Sequence, residues 1–235
     1  MENEENELLP LGSYPRKTLH ELSKSDADNT YFISDEEHKA IDFDKYTRTY
    51  IDRYQEREEK NGVVPKPFPH TPSTLDALIP RQCGTSDRRY IFLEFKNCPV
   101  IKRDKNTGQL RLASNKIQEN ITYKLYDTAI LMHVMGHAGI PTGYARMYAY
   151  IICSVEKNPD YVDFTKSNKQ SSRFNAVLGM SGGNDELMVG LDESEVGAFK
   201  PKLAKHLEKY LYAGIRFITE QNLDFVMKDQ EERNY

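Results

Sequence analysis

The stretch that most constrains this chain is Arg89–Asn97, RYIFLEFKN, whose aromatic and aliphatic residues read as a strand and whose inner charges, Glu94 and Lys96, must both be accommodated within it. Side chains alternate along a strand, so Tyr90, Phe92, Glu94 and Lys96 share one face while Ile91, Leu93 and Phe95 share the other. A carboxylate and an ammonium thus stand on an otherwise apolar face, at a desolvation cost that a bound cation or a catalytic role would offset. A second apolar run, TLDALI at 74–79, precedes it across the polar, turn-like RQCGTSDR at 81–88, a spacing that suits a hairpin with Asp76 in apolar company. Downstream, Ile121, Leu125, Thr128, Ala129 and Met132 recur at three- and four-residue intervals and predict a helix over 117–135. The run YARMYAYIICSV at 144–155 then reads as a buried strand. Strand, helix and strand in succession predict an α/β fold with a short mixed sheet flanked by helices.

The remaining text is organised around that centre. Residues 1–33 are acidic, contain Pro10, Gly12 and Pro15, and show no sustained periodicity, which predicts a loosely packed arm before an α/β domain over 34–235. Ser34 followed by Asp35, Glu36 and Glu37 offers a helix start, with Ile41, Tyr46, Tyr50, Ile51 and Tyr54 at roughly helical spacing, so a helix is expected over 35–60 with a break near Asp42. Prolines at 65, 67, 69 and 72 make 63–72 an extended connector. Lys105–Gly108 reads as a polar loop, 156–194 carries no assignable pattern, and a helix near 202–212 and a strand at 215–218 close the chain.

Charge sharpens the picture. The net charge of -4 excludes a protein that binds polyanions by bulk charge, yet residues 1–60 carry 16 acidic against 9 basic side chains while residues 81–124 carry 10 basic against 4 acidic. The middle of the chain is therefore locally basic, which reads either as a solvated mixed surface or as a basic face beside a phosphate-binding site. Three widely spaced cysteines form neither a disulfide framework nor a metal knuckle, and no apolar run approaches a bilayer span, so a reduced, cytoplasmic protein away from membranes is expected.

Asp76 and Glu94 on adjacent strands, with Lys96 two residues beyond, are the side chains that phosphodiester hydrolysis with Mg²⁺ or Mn²⁺ requires. Carboxylates, with the Phe95 carbonyl as a further hard oxygen, hold an ion that keeps several waters, and the lysine orients water and offsets charge growing on the phosphate. Glu-x-Lys also occurs at Glu37-His38-Lys39 and Glu58-Glu59-Lys60, but both lie in charged helical text. With Asp76 upstream, Glu94-Phe95-Lys96-Asn97 on the strand, then a helix and the strand at 144–155, the pattern over roughly 35–155 resembles the PD-(D/E)XK nuclease superfamily. That resemblance implies a restriction-endonuclease-like core, Asp76 and Glu94 as metal ligands, Lys96 as the catalytic lysine, and a nucleic acid, expected to be DNA, as substrate. The helix text Ile121–Thr128 also looks like the helix after the motif in some small members, which implies a phosphate contact for Lys124. Leu75 stands where the family often has Pro, and the acid that a first helix often supplies has no unique candidate among Glu36, Glu37 and Asp44. Homodimers are common in that superfamily and leave the oligomeric state open here. The alternative is a non-catalytic nuclease-like scaffold or protein-binding module whose acidic arm engages a partner.

Overall fold

The computed structural model describes residues 11–24, 30–63, 72–83, 87–136, 145–161, 206–208, 210–223 and 227. The prolines at 65, 67 and 69 and the segments 162–205 and 228–235 lie outside them. The elements are β1 (Arg16–Thr18), α1 (Leu19–Leu22), β2 (Lys39–Asp42), α2 (Phe43–Lys60), β3 (Ala77–Cys83), β4 (Asp87–Lys96), β5 (Ile101–Arg103), β6 (Leu110–Leu112), α3 (Asn115–Val134), β7 (Ala145–Cys153) and β8 (Gly214–Thr219). Among the described residues, six strands form one mixed sheet in the order β1-β2-β3-β4-β7-β8, antiparallel up to β4 and parallel from β4 through β7 to β8; β5 and β6 form a separate hairpin. The chain is thus α/β, and no helix among the described residues is long and apolar enough to cross a membrane.

The alternation read in RYIFLEFKN orders the two cores. Tyr90 and Phe92 pack with Met147, Ala149 and Ile151 under α2 and α3, through Phe43, Tyr46, Ile121, Leu125 and Met132. Ile91 and Leu93 pack on the other face with Ile79, Tyr150 and Ile152 against Leu19, Ile33 and Leu223. A sheet covered on both faces requires apolar residues at successive positions, which is why β4 and β7 read as nearly continuous apolar runs. The predicted helix over 117–135 is α3, capped by Ser114, whose side chain accepts from the Ile117 amide at 3.2 Å, and followed by Gly136 at φ 73°.

Three expectations are corrected. Of the arm over 1–33, residues 11–24 and 30–33 belong to the sheet layer: β1 pairs with β2, Leu19 is fully buried, and Thr18 and Glu21 form a capping box on α1. Residues 1–10 and 25–29 lie outside the described residues. The helix over 35–60 begins only at Phe43. Asp35 accepts from the amides of Glu37 and His38 at 3.0 and 2.9 Å, a local turn that competes with helix, and residues 39–42 then pair as β2 before Asp42 caps α2 by accepting from the Lys45 amide. Third, the strand expected at 74–79 runs from 77 to 83, so Asp76 precedes it. Pro80 is tolerated inside β3 because β2 pairs only with Ala77 and Leu78, which leaves no ladder bond on that edge for a proline amide to break. The loop around Lys105–Gly108 turns the β5–β6 hairpin: Asp104 accepts from the Asn106 and Thr107 amides, and Gly108 takes φ 69°.

Candidate functional site

Asp76 is fixed by the segment around it. The Ser73 amide donates to Asp127 at 2.9 Å and the Leu75 amide to Thr128 Oγ1 at 2.9 Å, so buried polar groups of α3 hold the approach to β3. The Phe43 amide, at the start of α2, donates to the Asp76 carbonyl at 2.9 Å. α3 thus holds two of the residues leading to Asp76 and α2 holds its carbonyl, and its carboxylate is turned toward the end of β4, where Oδ2 accepts from the Phe95 amide at 2.8 Å.

β4 delivers the other two groups. Glu94 is fully buried, on the face that Phe92 shares, and Lys96 follows two residues on with 17 % of its side chain exposed. Lys96 Nζ lies 2.6 Å from Glu94 Oε1 and donates to Asn120 Oδ1 at 2.8 Å. From α3, Lys124 Nζ donates to Asp76 Oδ1 at 2.7 Å and to Glu94 Oε2 at 2.9 Å, and also stands 2.9 Å from Oε1. Oε1 therefore has two ammoniums close by, yet neither meets it in hydrogen-bond alignment. Two carboxylates and two ammoniums form one network at the carboxyl end of β4, bordering a cavity of about 550 Å³.

The sequence-predicted residues Asp76, Glu94, Phe95, Lys96 and Lys124 all line that cavity. In an extended strand the amide and carbonyl of one residue point to the same edge, so the Phe95 carbonyl shares the edge on which its amide meets Asp76. Among the acids considered for the first helix, Asp44 lines this cavity, pairing with Arg48 at 2.5 Å, whereas Glu36 and Glu37 line a separate cavity with His38 and Glu220. Asp42 is a further acid on the wall, paired with Lys17 at 2.7 Å. Sequence reasoning missed Asn120. It stands four residues before Lys124, the spacing that places two side chains on one helical face, and that signal was available.

Burial first, and the neighbouring Asp76 charge second, push the Glu94 carboxyl up to about 7, with Lys124 and Lys96 pulling only partly the other way. Burial opposes charge on Lys124, but the two carboxylates outweigh it and hold its ammonium above the ordinary lysine value. An acid raised on folding favours the folded state most below its unfolded value and loses that contribution as pH rises to the folded value. Between about pH 4.5 and 7 in EDTA, the stability of wild type relative to Glu94→Gln is therefore expected to fall, by an amount on the order of a few kcal/mol. Urea denaturation at a series of pH values checks this, and a pH-independent difference would show that burial does not shift Glu94. Cys98 also borders the cavity, but burial raises its thiol above the ordinary value, which disfavours a thiolate nucleophile.

Two carboxylates and a backbone carbonyl match the hard-oxygen, partly hydrated coordination of Mg²⁺, and the poorly aligned buried Glu94 Oε1 retains acceptor capacity for a cation. No group of three or more His, Cys, Asp or Glu side chains among the described residues is gathered to hold a metal, so protein ligands here would come from the pair and the backbone. Comparison with protein-family models, with curated proteins and with solved structures returns no match, so the site is read from its own geometry.

Proposed function

We propose that this chain is a metal-dependent nuclease with a restriction-endonuclease-like core of the PD-(D/E)XK type, acting on nucleic acid, with DNA as the expected substrate. The observation that carries the reading is the meeting of Asp76, Glu94 and Lys96 at the end of one antiparallel hairpin. That hairpin is joined through α3 to the parallel strand β7, as the resemblance in the sequence implies. Asp76 and Glu94, with the Phe95 carbonyl, would hold Mg²⁺ or Mn²⁺, which supplies Lewis acidity and an activated water when bound. Lys96, steadied by Asn120 and Glu94, is placed to orient an attacking water and would offset the charge developing on the phosphate. Lys124, on the cavity wall, contacts the phosphate.

Cleavage of double-stranded DNA, single-stranded DNA and RNA in Mg²⁺, Mn²⁺ or EDTA tests this, with Asp76→Asn, Glu94→Gln and Lys96→Met beside wild type. Metal-dependent cutting that each substitution lowers by roughly a hundredfold or more is the expected result. Cutting that survives all three removes the assignment. One observation favours a non-catalytic scaffold instead: the two ammoniums already balance the two carboxylates within the protein. A folded wild type that cuts none of these substrates and binds no Mn²⁺ supports that reading.

A further inference from the structure

Lys124 holds a position unlike that of Lys96. Lys96 touches one carboxylate and is steadied by an amide, whereas Lys124 bridges both, with Nζ at 2.7 Å from Asp76 Oδ1 and 2.9 Å from each oxygen of Glu94. Asp76 Oδ2 is already engaged by the Phe95 amide, so the carboxylate surface that Asp76 and Glu94 turn toward each other is the surface Lys124 covers. Two carboxylates this near a common point repel unless a cation stands with them, and here the cation belongs to the chain. A second cation drawn to the same pair meets the repulsion of that ammonium at short range.

We infer that the Lys124 ammonium and a divalent cation hold the Asp76–Glu94 pair in alternation, so that Lys124 must leave the pair when the cation is bound. The inference rests on the metal-dependent reading above and adds a coupling to it. Lys124 reaches the carboxylates on a four-carbon stem from α3 and borders the cavity of about 550 Å³, so its head group has space to turn into. Lys17, Lys24 and Lys96 line the same cavity. Glu21, Asp42 and Asp44 line it too, with Lys17 paired to Asp42 and Lys96 to Glu94, so the cavity holds no surplus of positive charge before loading. A divalent cation on the pair and a freed Lys124 ammonium together shift that balance toward an anionic substrate. Without the cation, Lys124 is sequestered and the carboxylates are neutralised.

The test uses Mn²⁺ alone as probe, titrated calorimetrically into the full-length chain. Lys124→Met is expected to bind Mn²⁺ at least about tenfold more tightly than wild type, because the competing ammonium is gone. Mn²⁺ binding of equal or lower affinity in the variant overturns the alternation while leaving the metal reading intact. Absence of binding in both proteins overturns the metal reading itself, and the alternation with it. Should Lys124→Met fail to fold, wild type answers alone: acetylation of Lys124, followed by mass spectrometry, is expected to rise several-fold between EDTA and saturating Mn²⁺, with exposed Lys116 as the unchanged control. Equal Lys124 labelling in the two conditions overturns the proposal.

Discussion

Asn158→Ala is expected to lower the unfolding free energy by roughly 3–5 kcal/mol, among the largest losses any single substitution here should produce. Asn158 is fully buried, and its side chain satisfies four backbone groups. Oδ1 accepts from the amides of Val100 and Ile101 at 2.7 and 2.9 Å, and Nδ2 donates to the carbonyls of Cys98 and Ser154 at 3.1 and 2.8 Å. Truncation leaves those groups buried without partners, and each orphaned group costs about 1–3 kcal/mol, with the sum reduced as neighbours relax. The residue also ties the chain leaving β4 to the turn after β7, so the loss falls where the proposed site is assembled. Urea denaturation monitored by circular dichroism measures it. A loss below about 1 kcal/mol would mean that water replaces the amide without strain.

Phe92→Ala is expected to cost a similar roughly 3–5 kcal/mol, through a cavity rather than through lost hydrogen bonds. Phe92 is fully buried two residues before Glu94, on the same face, with its ring edge against Phe43 at 5.1 Å and 67°. For a chain of this length that loss corresponds to a fall in Tm of roughly 6–20 °C. Phe92→Leu, which keeps most of the volume, is expected to lose less than half as much. Because Phe43 opens α2 and its amide holds the Asp76 carbonyl, the cavity opens between the two carboxylate-bearing segments. Equal losses for Leu and Ala would show that the aromatic edge contact, not the volume, is what matters.

The parts of the fold legible in the sequence are those whose burial is periodic. The stripe Ile121, Leu125, Thr128, Ala129 and Met132 placed α3, and the unbroken aromatic and aliphatic text of 89–97 and 144–155 placed β4 and β7. What escaped was set by tertiary partners. The segment 39–42 is four residues long, too short for a period-2 signal to stand out against the helical text after it, and it is a strand because β1 and β3 flank it. β1 is three residues of polar text whose pairing supplies what its composition does not. In the candidate site, Asp76, Glu94 and Lys96 were legible because charged residues in apolar stretches of sequence stand out, although Asp76 falls just before its strand rather than within it. Lys124 came from resemblance, and Asn120 and Asp42 were missed because polar residues on partly exposed surfaces look like ordinary solvated ones.

Pro80 has a consequence for how the protein behaves at high concentration. Beyond Leu78 the outer edge of β3 has no strand partner among the described residues. An edge of that kind offers a row of amides and carbonyls on which a strand from a second molecule can grow. The proline interrupts that row by removing one donor in the middle of the edge, without touching the ladder to β4. It serves as a gatekeeper against intermolecular strand addition, so that the open side of the sheet that carries the site does not become a seed for aggregation.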